Sequence, residues 1–175
     1  RALYDHPVPN TVYRNWLRYI NSALEMIRSK ERLKTISVRD EMTGAYNRRG
    51  MYEQYREMMN TAEEGDTLFV GVIDMDGLKR INDRYGHAEG DIAIKNLADI
   101  IGTVFKDKAI AGRTGGDEFY VFVPECTEDT AAIFKKQFYF LLSDINNNMD
   151  KPYELSASFG TFVHEITPAY NVEEL

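Results

Sequence analysis

At 175 residues, with 43% hydrophobic and 28% charged side chains, the chain has room for one domain with a full core and one further element. A net charge of −7 and a pI near 5.0 exclude a surface built to track nucleic-acid phosphates. The lone Cys126 excludes an internal disulfide or a multi-cysteine zinc site and reads as a small buried apolar residue. No run reaches the roughly 18 apolar residues of a membrane helix and nothing resembles a signal peptide, so a cytoplasmic stretch is expected, whether or not a longer parent is membrane-anchored.

Residues 1–9, with Pro7 and Pro9, read as an irregular lead-in. From Asn10 or Thr11 a long helix is expected to about residue 38. Val12 or Tyr13, Trp16 or Leu17, Ile20, Leu24 and Ile27 recur at spacings of three and four. Two readings stay open: a helix packed on the domain's own core, or a parallel coiled-coil stalk, for which the clean heptads are few. Residues 39–49 are polar and glycine-punctuated, an ordered connection whose Asp, Thr and Asn satisfy nearby backbone groups. A helix follows with Met51, Tyr55, Met58 and Met59 on one face, ending near Gly65-Asp66.

Residues 67–73 form a short apolar run, the best candidate for a central strand, and it ends in Asp74-Met75-Asp76. In extended backbone Asp74 and Asp76 face the same side. Acids there suit a hard cation such as Mg²⁺, which takes one or two carboxylates and completes its shell with phosphate and water; acids also simply end strands. Residues 77–85 read as a short helix with Leu78, Ile81 and Tyr85 inward and Lys79 and Asn82 sharing a face. Residues 86–91 turn into a long helix, 92–105, with Ile94, Leu97, Ile101 and Val104 or Phe105 inward. Taken alone, His87 is a turn histidine and Asp91 a first-turn acid favoured by the helix dipole.

Arg113-Thr114-Gly115-Gly116-Asp117-Glu118-Phe119 stands between two β-prone runs. Paired glycines there signal a hairpin and leave the backbone open to a bulky ligand. Asp117 and Glu118 project near the turn, either toward a cation or substrate or as a solvated acidic turn. Residues 127–147 read as an amphipathic helix with Ile133, Phe134, Phe138, Leu141 and Leu142 inward. Residues 153–163 alternate Leu155, Ala157 and Phe159 against Ser156 and Ser158 as a half-buried strand, Gly160 marking a bulge or close approach, and 164–175 read as the start of a further helix. Four strands interleaved with helices predict an α+β fold, a palm-like or ferredoxin-like sheet flanked by helices, with a long N-terminal helix in front. That sheet brings Asp74 beside Asp117 and Glu118.

Four segments in order carry a family resemblance. They are Asp40-x-x-Thr43-Gly44-x-x-Asn47-Arg48-Arg49; Asp74-x-Asp76-x-x-Lys79-x-Ile81-Asn82-Asp83-x-x-Gly86-His87-x-x-Gly90-Asp91; Gly115-Gly116-Asp117-Glu118-Phe119; and Ser156-x-Ser158-x-Gly160. On these, residues 39–160 resemble the GGDEF domain of diguanylate cyclases, which join two GTP into cyclic di-GMP with release of pyrophosphate. The resemblance divides the chain into a stalk, 1–38, and a domain, 39–175, that lacks the family's closing helix. It implies that Asp74, the Met75 carbonyl and Asp117 hold Mg²⁺ or Mn²⁺, with Glu118 a secondary candidate. Asp117 is then also the base for the ribose 3′-hydroxyl, and Lys79 offsets phosphate charge. Asn82 and Asp91 bond guanine, His87 lines the pocket, and Gly115 and Gly116 make room for base and ribose. An aspartate at 91 can accept two hydrogen bonds from guanine, which adenine cannot offer.

Because each 3′-hydroxyl must attack the other nucleotide's α-phosphate, the resemblance further implies a homodimer, brought together by the stalk and set by an upstream sensor domain. Where the family's product-inhibition site has Arg-x-x-Asp, this chain has Lys106-Asp107-Lys108-Ala109, so weak inhibition through that site is expected. The alternative reading is a catalytically inactive GTP-binding regulatory module. A palm-type polymerase is disfavoured by the absence of a basic surface.

Overall fold

The sheet is built about β2 (Thr67–Met75), which is hydrogen-bonded to a strand on each side. Phe69, Ile73 and Met75 are buried on one face and Leu68 on the other, so the strand reads as a nearly continuous apolar run because both faces are covered. The computed structural model describes residues 10–36, 38–106 and 109–166. The chain divides after Ser37 into two compact units.

The first unit contains α1 (Asn10–Ile36), which ends two residues short of the expected boundary and leaves Trp16, Tyr19 and Met26 exposed. The second contains β1 (Tyr46–Asn47), α2 (Arg48–Thr61), β2, α3 (Leu78–Tyr85), α4 (His87–Phe105), β3 (Ile110–Gly115), β4 (Glu118–Pro124), α5 (Glu128–Asn148) and β5 (Ala157–Glu165). Strand order is β1-β3-β4-β2-β5, with every neighbour antiparallel except β1 and β3. Strands β2 and β3 therefore run parallel with β4 between them, joined through α3 and α4. Strands β4 and β5 likewise run parallel around β2, joined through α5. This is the split βαβ arrangement of a ferredoxin-like or palm-like α+β sheet, as expected.

On one face, α4 and α5 bring Leu97, Ile101, Phe105, Phe134 and Phe138 against Phe69 and Phe159. Ring centroids lie 4.9 Å apart for Phe105–Phe134 and for Phe138–Phe159, the spacing of favourable aromatic pairs. On the other face, α2 lays Met51 and Tyr55 over Leu68, Phe122 and Ile166. Cys126 is buried, and no helix among the described residues is long and apolar enough to cross a membrane.

Several boundaries differ from those expected. Strand β1 is a fifth strand, too short at two residues for any alternation to show in sequence. Helix α2 stops at Thr61 because Gly65, at φ +95°, and the Asp66 carboxylate, which accepts from the Glu63 amide at 2.8 Å, build a turn before β2. Helix α4 starts at His87 rather than 92, as Gly86 at φ +90° breaks the chain immediately after α3. Strand β5 starts at Ala157: the Leu155 backbone is occupied by Asn146, whose side chain accepts from its N–H and donates to its carbonyl, each at 2.8 Å. Ile133 is exposed, since Ala131, Phe134, Phe138 and Leu142 define the buried stripe of α5 and Ile133 lies off it. Gly160 pairs regularly with Val72; the irregularity lies between Arg113 and Gly115 instead. The helix expected from 164 does not begin there, because β5 runs on to Glu165 in pairing with Thr67; the expectations for 1–9, for Asp107 and Lys108, and for 167–175 fall outside the described residues.

Candidate functional site

Pairing of β2 continues past its apolar run, to Asp74 on the β4 side and to Met75 on the β5 side, and Asp74 stands opposite Glu118 on β4 and Ser158 on β5. Cross-strand partners share a face, so two like charges meet directly, an arrangement unfavourable in itself. Asp117 occupies the turn between β3 and β4, and its carbonyl accepts from the Met75 amide at 3.2 Å. Burial pushes the Asp74 carboxyl above its ordinary range, and the charges of Asp117, Glu118 and Asp76 push it further. The two acidic clusters, far apart in sequence, thus share one end of the sheet. Their oxygen donors, Asp74, Asp117 and the Met75 carbonyl, are of the hard kind that suits a divalent cation.

The turn that carries Asp117 is bare and clamped. Gly116 lies at φ +49°, a conformation that a side chain strains, and open space surrounds the positions a Cβ would take at both Gly115 and Gly116. The Arg113 guanidinium grips the Gly116 carbonyl through Nε at 3.0 Å and Nη2 at 2.6 Å. Its Nη1 pairs with the Asp40 carboxylate at 3.2 Å. Asp40 also accepts from Thr43, from Oγ1 at 2.7 Å and from the amide at 2.9 Å. Burial pushes the Asp40 carboxyl upward, but the Thr43 hydrogen bonds and the Arg113 bond and charge outweigh it and hold it below its ordinary value. The Asp40-x-x-Thr43 segment therefore braces the hairpin turn from across the sheet, and Asn47 caps α2 by accepting from the Gly50 amide at 2.9 Å. Sequence reading assigned Arg113 no role. The available signal was an arginine inside a strand, where a guanidinium needs an anion.

Beyond Asp76, Gly77 at φ +73° turns the chain directly into α3. Lys79 is exposed on α3 and lines an open hollow with Gly77, Arg80, Asp83 and Arg84. Asn82 follows one turn later. Gly90, in the first turns of α4, is buried against it: a Cβ at Gly90 would fall on Asn82 Oδ1. His87 and Asp91, four apart on α4, are exposed, and neither holds a hydrogen bond to Asn82 or to the acids among the described residues. The start of α4 is fastened to the loop before β5. Glu89 there accepts from Lys151 Nζ at 2.8 Å and from the Tyr153 hydroxyl at 2.8 Å. Burial and then Glu89 push the Tyr153 hydroxyl up to about 12. Sequence reading missed this latch, and it missed the hydroxyls of Ser156 and Ser158 that reach Asp76.

A family model described as "Diguanylate cyclase, GGDEF domain" matches residues 37–175. The chain is 36% identical over 122 residues to the probable diguanylate cyclase DgcJ of Escherichia coli K12, covering 67% of this chain and 25% of that protein. It is 36% identical over 117 residues to the probable diguanylate cyclase DgcC of the same strain, covering 66% and 31%. The chain thus spans about a quarter to a third of the length of these curated relatives. Among solved structures, the GGDEF domain of DgcB from Caulobacter crescentus in complex with c-di-GMP superposes with a TM-score of 0.65 at 26% identity, covering 74% of this chain and 78% of that one. The diguanylate cyclase SiaD from Pseudomonas aeruginosa, solved with its activator SiaC, gives 0.66 at 25% identity, covering 89% and 61%. By its family match, its relatives and its fold, the chain belongs to the GGDEF domain family of diguanylate cyclases.

Proposed function

We propose that residues 39–175 are the catalytic domain of a diguanylate cyclase, which condenses two GTP into cyclic di-GMP with release of pyrophosphate. The observation that carries this reading is the meeting of Asp74, Asp117 and Glu118 beside two glycines with open space around them. The donors fit Mg²⁺ or Mn²⁺. Asp74 feels the repulsion of its neighbours, which a cation relieves, and two carboxylates with the Met75 carbonyl leave positions for phosphate and water. Among the described residues no three His, Cys, Asp or Glu side chains are grouped so as to hold a metal ion by themselves, so the Met75 carbonyl, phosphate and water would have to complete the shell. When bound, such an ion polarises the phosphates.

The chain's own groups supply the rest. Lys79 offsets phosphate charge from the start of α3. Asp91 accepts from guanine N1–H and the exocyclic amine, Asn82 bonds the same base, and His87 lines its pocket. Asp117 takes the proton of the 3′-hydroxyl, and the freed oxygen attacks the α-phosphate of the GTP held by a second copy. Positioning supplies much of the acceleration. Two domains must therefore face each other, and residues 1–38 serve as the stalk that pairs them under an upstream sensor. Incubating the purified chain with GTP and Mg²⁺ and weighing the products tests the reading. Cyclic di-GMP is expected from the parent and none from Asp117→Ala. GTP binding without product, even at high protein concentration, would instead mark a regulatory module.

A further inference from the structure

Asp76 and the Ser156-x-Ser158 pair take no part in the reaction proposed above, yet their side chains are fully engaged with one another. Ser156 Oγ donates to one Asp76 carboxylate oxygen at 2.7 Å, and Ser158 Oγ donates to the other at 2.9 Å. Ser158 is the cross-strand neighbour of Asp74, not of Asp76. Its hydroxyl nevertheless passes diagonally to Asp76, so both serines serve one carboxylate and neither hydroxyl goes to Asp74. The main chain follows the same plan. The Asp76 amide donates to the Ser156 carbonyl at 2.9 Å, and the Met75 amide donates to the Asp117 carbonyl at 3.2 Å. The end of β2 is thereby fastened to β5 on one side and to the hairpin turn on the other.

We propose that Asp76 is a positioning residue: clasped by Ser156 and Ser158, it fixes the end of β2 so that the Asp74 carboxylate and Met75 carbonyl are presented together with Asp117, and it does not itself ligate the cation. This rests on the reading of those three groups as cation donors. Partners that orient metal ligands are typically worth about 10- to 100-fold in metal affinity. Shape and charge can be separated here, because a serine hydroxyl accepts as well as donates. Asparagine at position 76 keeps both contacts, its Oδ1 accepting from one serine and its Nδ2 donating to the other, while the charge is gone.

The test is Mn²⁺ binding to the full chain in the presence of a non-hydrolysable GTP analogue, followed by electron paramagnetic resonance. Asp76→Ala and the double variant Ser156→Ala/Ser158→Ala are expected to weaken Mn²⁺ binding by about tenfold or more, whereas Asp76→Asn and Ser156→Thr/Ser158→Thr stay within about twofold of the parent. A loss in Asp76→Asn equal to that in Asp76→Ala, with the serine double variant unaffected, would overturn the proposal and make the charge of Asp76 what matters. Unchanged binding in both Asp76→Ala and the serine double variant would overturn it too. Should Asp76→Ala fail to fold, the serine double variant and its threonine counterpart carry the same comparison. Asp74→Ala separates the two levels. If it abolishes binding while the clasp variants do not weaken it, only the clasp falls; if it leaves binding intact, the cation site and the clasp fall together.

Discussion

The carboxylate of Asp74 faces Glu118 across the sheet, and burial together with the charges of Asp117, Glu118 and Asp76 raises its affinity for a proton. A folded-state carboxyl raised above its unfolded value favours folding when protonated, and that contribution is lost as pH rises through the folded value. In chelator, Asp74→Asn is therefore expected to raise the melting temperature at neutral pH, the gain fading as pH falls through the raised folded value and gone below the ordinary value of 3.8. A pH-independent change in melting temperature would show that the crowding is not felt. Arg113 works in the opposite sense, because it joins the Gly116 carbonyl to Asp40. Arg113→Ala leaves a half-buried carboxylate without its cation, and a loss of about 2 kcal/mol in urea denaturation is expected. Arg113→Lys should recover only part, since an ammonium cannot fork. These two residues mark what was legible in sequence. The acids announced themselves by ending an apolar run and by following two glycines. The pairings of Arg113 with Asp40 and of Ser156 and Ser158 with Asp76 did not, because those partners lie more than 70 residues away and no local pattern encodes a pairing at that distance.

Between elements, the contact that matters most for the proposed guanine pocket is that of α3 with α4. Gly90 lets α4 approach until its backbone touches the Asn82 carboxamide. In Gly90→Ala, helix propensity gains about 0.5–1 kcal/mol, and the group struck is chiefly the end of a side chain that can turn aside. Stability is expected to hold within about 1 kcal/mol of the parent, while GTP affinity, read by calorimetry, falls as Asn82 is displaced. Unaltered affinity would remove Asn82 from the pocket. Helix periodicity located the buried faces of α3 and α4 but not the start of α4. The break comes from the backbone of Gly86, which sequence reading took as part of a longer turn. The strand β1 escaped for a similar reason: it owes its place to pairing with β3 rather than to a pattern of its own.

For the whole molecule, the proposed chemistry needs two copies. The exposed Trp16, Tyr19 and Met26 give α1 an apolar character that pairing would cover. Deleting residues 1–36 is expected to slow product formation at low protein concentration by about 100-fold, with recovery as concentration rises, the signature of lost effective concentration. An unchanged rate would end the stalk proposal. The α+β class was legible because strand-like and helix-like runs alternate in the order a split βαβ sheet demands; that β2 lies inside the sheet, between β4 and β5, was suggested only by its apolar continuity. That interior place has a consequence for how the protein is made. Strand β2 has β4 and β5 as its neighbours, and both are synthesised after it, β5 about 80 residues later, or about 4–16 s at ordinary rates of translation. Until β4 is made, about half way through that interval, this apolar strand has both edges open, and the edge that β5 will cover stays open to its end. The acid it carries can meet Asp117 and Glu118 once β4 pairs, but Ser156 and Ser158 come only with β5, so a ribosome that stalls before β5 leaves a fragment with an open apolar edge and an unclasped Asp76, exposed to chaperones and proteases.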